Sequence, residues 1–99
     1  MPKLRLRLTT AAQRDLNDIF EYLNSRNPRA ARSVINAIER SINLLAEYPM
    51  SARQTDMIDV RVRPLSKYPF LVFYQPADTE LLILRIRHSS GPWPDDIAE

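Results

Sequence analysis

Arginines recur at alternate positions in three short segments, and pairs placed in this way are suited to binding an anion. They are Arg5 and Arg7, Arg61 and Arg63, and Arg85 and Arg87. A guanidinium group is a planar fork of donors that holds a carboxylate or a phosphate by two parallel hydrogen bonds. The chain has no cysteine and one histidine, His88. These counts exclude a cysteine nucleophile and a disulfide framework and argue against a zinc site, so we expect no metal and no cofactor.

The arginine-bearing segments are predicted strands. In residues 3–8 basic residues alternate with leucines, and Val60 and Val62 alternate with Arg61 and Arg63 in the same way. Such alternation is typical of a strand with one buried face. Residues 70–74 are apolar throughout, which predicts a central strand covered on both faces. Residues 81–88 start apolar and end alternating, which predicts a last strand.

Two helices are predicted between the first and second strands. The first runs from about residue 11 to residue 24, with Thr10 as its N-cap and Gln13 completing a capping box. The second starts after Asn27, a good N-cap, and ends at Tyr48, which precedes a proline. Because the turn between them is so short, the helices must form an antiparallel hairpin.

This order predicts an α+β fold, β-α-α-β-β-β, with the helix hairpin on one face of a small, mainly antiparallel four-stranded sheet. Residues 50–57 are predicted to be a loop, and residues 1–99 a single domain whose tail, 89–99, is irregular. No apolar run approaches the length of a membrane span. The N-terminus alternates charged and apolar side chains, which argues against a signal peptide, so we expect a cytoplasmic protein.

Because successive side chains of a strand point to opposite faces of the sheet, the alternating pattern predicts a basic face. If the apolar sets of all these strands face the helices, seven cations gather on the other side of the sheet. They are Lys3, Arg5, Arg7, Arg61, Arg63, Arg85 and Arg87. The formal net charge of +2 is too small for general coating of nucleic acid, so the anion is left open between phosphate and the carboxylates of a partner. The structural alternative is that long arginines simply cover an open sheet face.

His88 and Trp93 are the two isolated side chains near the C-terminus. His88 ends the last strand as a polar cap or, alternatively, as a general acid or base. Parity places it on the face of Ile86, away from Arg85 and Arg87. Trp93 lies between two prolines and is either a packed wedge or an exposed anchor for a partner.

Together these motifs resemble the RelE/ParE superfamily of toxins. The similarity lies in Ala12-x-x-Asp15-Leu16-x-x-Ile19-x-x-Tyr22, in the second helix from Ala30 to Leu45, in Tyr48-Pro49 with Arg53, in Val60-Arg61, in Phe73-Tyr74 and in Ile86-Arg87-His88. It extends from about Leu4 to about Trp93. The resemblance implies the toxin of a type II toxin–antitoxin (plasmid stabilisation) system, neutralised by an antitoxin whose C-terminal segment wraps its helices and sheet.

Members of this superfamily have one of two activities. The residues of this chain favour the ParE-like branch. It implies inhibition of DNA gyrase, a ParD-like antitoxin, growth inhibition and no chemistry of the toxin's own, with target contacts at Arg85, Arg87, His88 and Trp93. The alternative is a RelE-like ribosome-dependent mRNA endoribonuclease, an enzyme whose site would use Arg61, Arg63, Arg85 and His88. A non-toxic antitoxin-binding module is the third possibility. The sequence offers no convincing acid and base for the ribonuclease alternative, because no tyrosine follows His88 and Lys67 is the one lysine after the second helix.

Antitoxin contacts are expected at six positions on the helices and sheet. They are Leu16, Phe20, Arg61, Arg63, Phe73 and Arg85. A central strand that is apolar on both sides should not be left bare in so small a domain. We therefore expect an acidic or amphipathic partner segment to cover the second side of that strand in a hetero-oligomer.

Overall fold

The computed structural model describes residues 3–91, in which two helices pack on one five-stranded sheet. The elements are β1 (Arg5–Leu8), α1 (Thr10–Asn24), α2 (Pro28–Glu47), β2 (Arg53–Gln54), β3 (Arg61–Pro64), β4 (Phe70–Pro76) and β5 (Glu80–His88). The sheet order is β1-β5-β4-β3-β2, with β1 parallel to β5 and every other pair antiparallel. The predicted α+β arrangement is confirmed. The fifth strand, β2, lies in the segment that the sequence predicted as loop.

The helix boundaries follow from their caps. Asn27 caps α2 as predicted, because its side-chain oxygen accepts a hydrogen bond from the Ala30 N–H at 3.2 Å. In α1 the cap is Thr9 and not Thr10, which has already entered the helix. Thr9 Oγ1 accepts from the Ala12 N–H at 3.1 Å and donates to the Leu84 carbonyl at 2.9 Å. The extended backbone of Thr9 suits a cap. The Thr9 N–H donates to the Ile83 carbonyl in the adjacent strand.

The main core lies between the helix hairpin and the sheet, and we call it the helix-side core. The apolar face of α2 supplies Val34, Ile38, Ile42 and Leu45, and α1 supplies Ala12. The sheet contributes Val72, Tyr74, Leu81, Ile83 and Ile86. The apolar face of α2 is thus buried. Within residues 3–91 neither helix is long and apolar enough to cross a bilayer.

A second, smaller core covers the other face of the sheet, and we call it the far-side core. It consists of Val60, Val62, Phe73 and Leu84, with Met57, Leu71 and Leu82 packed against them. The loop before β3 folds over this face, and both the N–H and the Oγ1 of Thr55 donate to the Val60 carbonyl at 2.9 Å. The second side of β4 is therefore covered by the chain itself. The expectation that a partner must cover it is wrong.

A β-bulge in β5 sets which side chains face the helices. Phe73 pairs with Arg85 whereas its neighbour Tyr74 pairs with Ile83, so β5 has one extra residue, Leu84, at this point. The extra residue shifts the alternation of β5 by one position. Leu81 and Ile83 face the helices before the bulge, and Ile86 faces them after it.

Candidate functional site

The single basic face predicted from strand parity is wrong. Val60 and Val62 belong to the far-side core, so Arg61 and Arg63 project toward the helices. Their cross-strand partners, Tyr74 and Val72, are both members of the helix-side core. The prediction failed because β3 buries its valines against its own preceding loop rather than under the helix hairpin. The bulge in β5 likewise puts Leu82 and Leu84 on the far side, opposite to the predicted orientation.

Arg61 and Tyr74 together hold the turn that follows α2. Arg61 Nη1 donates to the Ala52 carbonyl at 2.6 Å, and the Tyr74 hydroxyl donates to the Pro49 carbonyl at 2.8 Å. Burial raises the pKa of the Tyr74 phenol, although a backbone hydrogen bond from Ala52 and the charges of Arg61 and Arg63 oppose the increase. The sequence predicted Arg61 as a catalytic or partner-binding cation. In the structure its guanidinium group makes a structural contact within the chain instead.

Arg85 is paired inside the molecule with Asp15 of α1. Its Nε and Nη2 atoms lie 2.8 Å and 3.1 Å from the two carboxylate oxygens, a bidentate arrangement. Asp15 Oδ2 also accepts the Ile86 N–H at 2.9 Å. Both side chains of the pair are largely buried, with 14% and 13% of their surfaces exposed. The carboxylate therefore ties α1 to the part of β5 that extends beyond β1.

The end of β5 presents Arg87 and His88 on opposite faces of the sheet. Arg87 pairs across the sheet with Leu71 of the far-side core, and His88 pairs with Phe70. The His88 ring meets the Phe70 ring edge-on at 5.4 Å, and its Nδ1 accepts from the Ser90 N–H at 3.1 Å. The predicted placement of His88 on the Ile86 face is confirmed, since Phe70 packs on the helix-side core. Trp93 lies outside the described residues.

The predicted antitoxin contacts differ widely in exposure. Phe20 on α1 is 42% exposed, and Leu16 is half-buried against the helix-side core. Phe73 has no exposed surface at all. A partner cannot touch Phe73 directly in this conformation, so its contribution to an interface would be to support the residues around it.

The structure also forms a groove that the sequence did not reveal, between the outer face of α2 and the loop joining β3 to β4. We call it the α2 groove; its volume is about 450 Å³. Its three cations are Arg40 of α2, Arg63 at β3 and Lys67 of the loop. The one signal in the sequence was the polar face of α2, where Ser33, Asn36 and Arg40 recur at helical spacing. Residues 3–91 hold no cluster of acidic and histidine side chains that would bind a metal.

Comparison with known proteins identifies the family. Residues 6–93 match the model of the ParE toxin of the type II toxin–antitoxin system parDE. A protein of Sinorhizobium fredii (strain NBRC 101917 / NGR234) named "Putative toxin Y4kP" is 32% identical over 94 residues, or 95% of this chain and 97% of the relative. The chain therefore belongs to the ParE toxin family, within the RelE/ParE superfamily.

Solved structures agree with this fold. A chain of the chromosomal ParDE TA system from P. aeruginosa superposes with a TM-score of 0.77 at 24% identity, covering 87% of this chain and 96% of the other. A chain of the toxin–antitoxin complex RelBE2 from Mycobacterium tuberculosis gives a TM-score of 0.62 at 22% identity, covering 89% and 93%. At such identities the likeness concerns the fold alone.

Proposed function

We propose that this chain is a cytoplasmic toxin that inhibits DNA gyrase by binding it and is neutralised by a ParD-like antitoxin. Family membership supports the toxin class. The antitoxin partner is supported by the fold shared with chains of the ParDE and RelBE2 systems. In a hetero-oligomer of this kind the pair would act in plasmid stabilisation by inhibiting growth when the antitoxin is lost.

The dispersal of the arginines is the observation that favours binding over catalysis. Cleavage of RNA by 2′-hydroxyl attack needs a base, an acid and cations gathered around one phosphorus atom. Here Arg61 holds the Ala52 carbonyl and Arg85 holds Asp15. The two arginines lie on β3 and β5 with β4 between them, so strand spacing places their backbones about 10 Å apart. Both guanidinium groups are thus engaged in separate internal contacts rather than gathered around one point.

Target contact is proposed at the end of β5, through Arg87 and His88, with Trp93 beyond it. Arg87 is half-buried and His88 is exposed, so both are accessible at one end of the sheet. Arg85, the third predicted target residue in this strand, would act mainly by holding β5 against α1.

A supercoiling assay with purified gyrase tests this function. We expect inhibition by the wild-type chain and loss of inhibition in Arg87→Glu. Arg29→Glu, which makes the same charge change at an exposed position on α2, is the matched control and should inhibit normally.

A ribosome assay tests the enzymatic alternative. Undiminished supercoiling at saturating protein, together with cut messenger RNA on translating ribosomes, would refute gyrase inhibition and establish the RelE-like endoribonuclease. In that case His88→Ala should lower the cleavage rate by about 10²–10⁴-fold, the usual effect of removing a general acid or base. A chain that does neither would be a non-toxic antitoxin-binding module.

A further inference from the structure

The turn before β3 exposes an apolar side chain between two acidic residues, and we call residues 56–59 the Ile58 turn. Ile58 is 88% exposed, more than any other large apolar side chain of residues 3–91. Asp56 and Asp59 are exposed on either side of it, and neither carboxylate has a hydrogen-bond or ion-pair partner in the described chain. A single exposed isoleucine is common on protein surfaces, so the acidic neighbours and the support beneath this one are what distinguish it.

Backbone and side-chain bonds fix the shape of the Ile58 turn. The Val60 N–H donates to the Met57 carbonyl at 3.2 Å and so closes a turn with Ile58 at its second position. The Thr55 hydroxyl accepts from the Met57 N–H at 3.1 Å and donates to the Val60 carbonyl at 2.9 Å. Asp59 has a φ of 62°, in the left-handed region that aspartate tolerates better than most side chains. A partner would therefore meet a preformed surface, and binding it would cost little conformational entropy.

The α2 groove has the complementary character. Its three cations, Arg40, Arg63 and Lys67, have no ion-pair partner among residues 3–91, and its lining contains no carboxylate. Leu44 and Leu65 give the groove an apolar part, and 43% of the Leu44 surface is exposed there. A turn that carries an apolar side chain between two carboxylates matches this groove in both charge and polarity. A phosphate group would leave the leucines without a contact.

The turn and the groove of one molecule are too far apart in the fold to meet each other. Met57 anchors the turn on the far side of the sheet, whereas the groove is built against α2 on the helix side. They also lie at opposite ends of β3, since the turn precedes this strand and the groove involves the loop that follows it. The turn can therefore reach only the groove of another molecule.

From this complementarity we propose that copies of the chain associate head to tail, with the Ile58 turn of one copy in the α2 groove of the next. Ile58 packs on the leucines of the groove, and the two aspartates pair with its cations. Such a contact leaves one free turn and one free groove at the ends of each assembly. Both surfaces are small, so we expect a weak association that depends on concentration. The inference goes beyond the proposed function and requires neither gyrase nor an antitoxin.

Sedimentation equilibrium of the purified chain at increasing concentrations tests this contact. We expect the weight-average mass of the wild-type chain to rise with concentration and to return toward that of a monomer at high salt, because salt screens the charge pairs. Ile58→Ser, which removes the apolar side chain, and Arg40→Glu/Lys67→Glu, which reverses the two exposed cations of the groove, should each abolish the rise.

Two control variants make the same kinds of change outside the contact. Met50→Ser removes an apolar side chain that is 66% exposed, and Arg29→Glu/Arg32→Glu reverses two exposed cations elsewhere on α2. Both controls should associate as the wild-type chain does.

A mixture of the two contact variants tests the head-to-tail arrangement. Ile58→Ser keeps an intact groove, and Arg40→Glu/Lys67→Glu keeps an intact turn. Together they should form a one-to-one pair that grows no further, because the remaining turn and the remaining groove are both defective. This restored association would also show that neither variant lost self-association by unfolding.

Three results would overturn the proposal. The first is a wild-type chain that stays monomeric at every concentration. The second is association that persists in Ile58→Ser or in the groove variant, because another surface would then join the copies. The third is a mixture of the two variants that stays monomeric although circular dichroism shows both to be folded. Failure here leaves gyrase inhibition untouched, and a chain that fails the supercoiling assay can still associate, so the two proposals fail separately.

Discussion

Asp15 accepts hydrogen bonds from three donors at once. Its carboxylate binds the Nε and Nη2 atoms of Arg85 and the N–H of Ile86. A buried pair of this kind contributes little net stability when intact, but removal of one partner leaves an uncompensated charge. The Ile86 N–H would lose its acceptor as well.

Replacement of Asp15 should therefore destabilise the whole chain. We expect Asp15→Ala to lower the free energy of unfolding by about 3–5 kcal/mol, measured by urea denaturation. Asp18→Ala on the same helix is the control, because Asp18 is exposed and should change stability by less than about 0.5 kcal/mol. Equal midpoints for the two variants would contradict a structural role for the pair.

Tyr74 gives a second residue-level prediction, in alkaline solution. Because its folded pKa is raised above the usual value of about 10, the unfolded chain loses this proton first as the pH rises. The contribution to stability is complete below about pH 10 and is lost as the pH rises through the folded pKa. The difference in tyrosinate absorbance between wild type and Tyr74→Phe should therefore have its midpoint above pH 10. A midpoint at or below 10 would show that the phenol is not buried as described.

At the scale of elements, the β1–α1 junction depends on the side chain of Thr9. We expect Thr9→Ala to cost about 1–2 kcal/mol, because α1 loses its N-cap and the bond to Leu84 is lost with it. Thr10→Ala is the discriminating control: the sequence pattern made Thr10 the cap, whereas the structure puts it inside the helix. Thermal melts of the two variants decide between them. A larger loss for Thr10→Ala would restore the original assignment.

The sequence alone predicted the helices and most strands, but not which face of each strand is buried. Local signals predicted both helices, the Asn27 cap and the covered central strand, because caps and periodicity act within a few residues. Strand faces were harder. The bulge at Leu84 shifts the alternation of β5, and the pairing of β3 with β4 turns the valines of β3 away from the helices. Both features depend on how strands pair in the folded sheet, which local alternation does not reveal. The sequence does not predict the α2 groove for the same reason, since Arg40 and Lys67 are brought together only by the fold.

At the scale of the whole molecule, the two cores share β4 and should unfold together. Ile38 belongs to the helix-side core and Leu84 to the far-side core, and both are almost fully buried. We expect Ile38→Ala and Leu84→Ala each to cost about 2–5 kcal/mol. Far-UV circular dichroism and tyrosine fluorescence should follow one shared transition in both variants. Separate transitions in Leu84→Ala would mean that the far-side core is an independent unit.

The parallel pairing of β1 with β5 has a consequence for the newly made chain. Arg5 pairs with Glu80, so β1 cannot form its strand pairing until a segment about 75 residues downstream has been synthesised. At typical rates of synthesis that interval lasts roughly 4–15 s. Throughout it β1 has no strand beside it, and Asp15 has neither Arg85 nor the Ile86 amide to bind. The nascent chain is thus a precursor without its finished surface until the last strand emerges, and the order of synthesis itself delays the moment at which the protein can act.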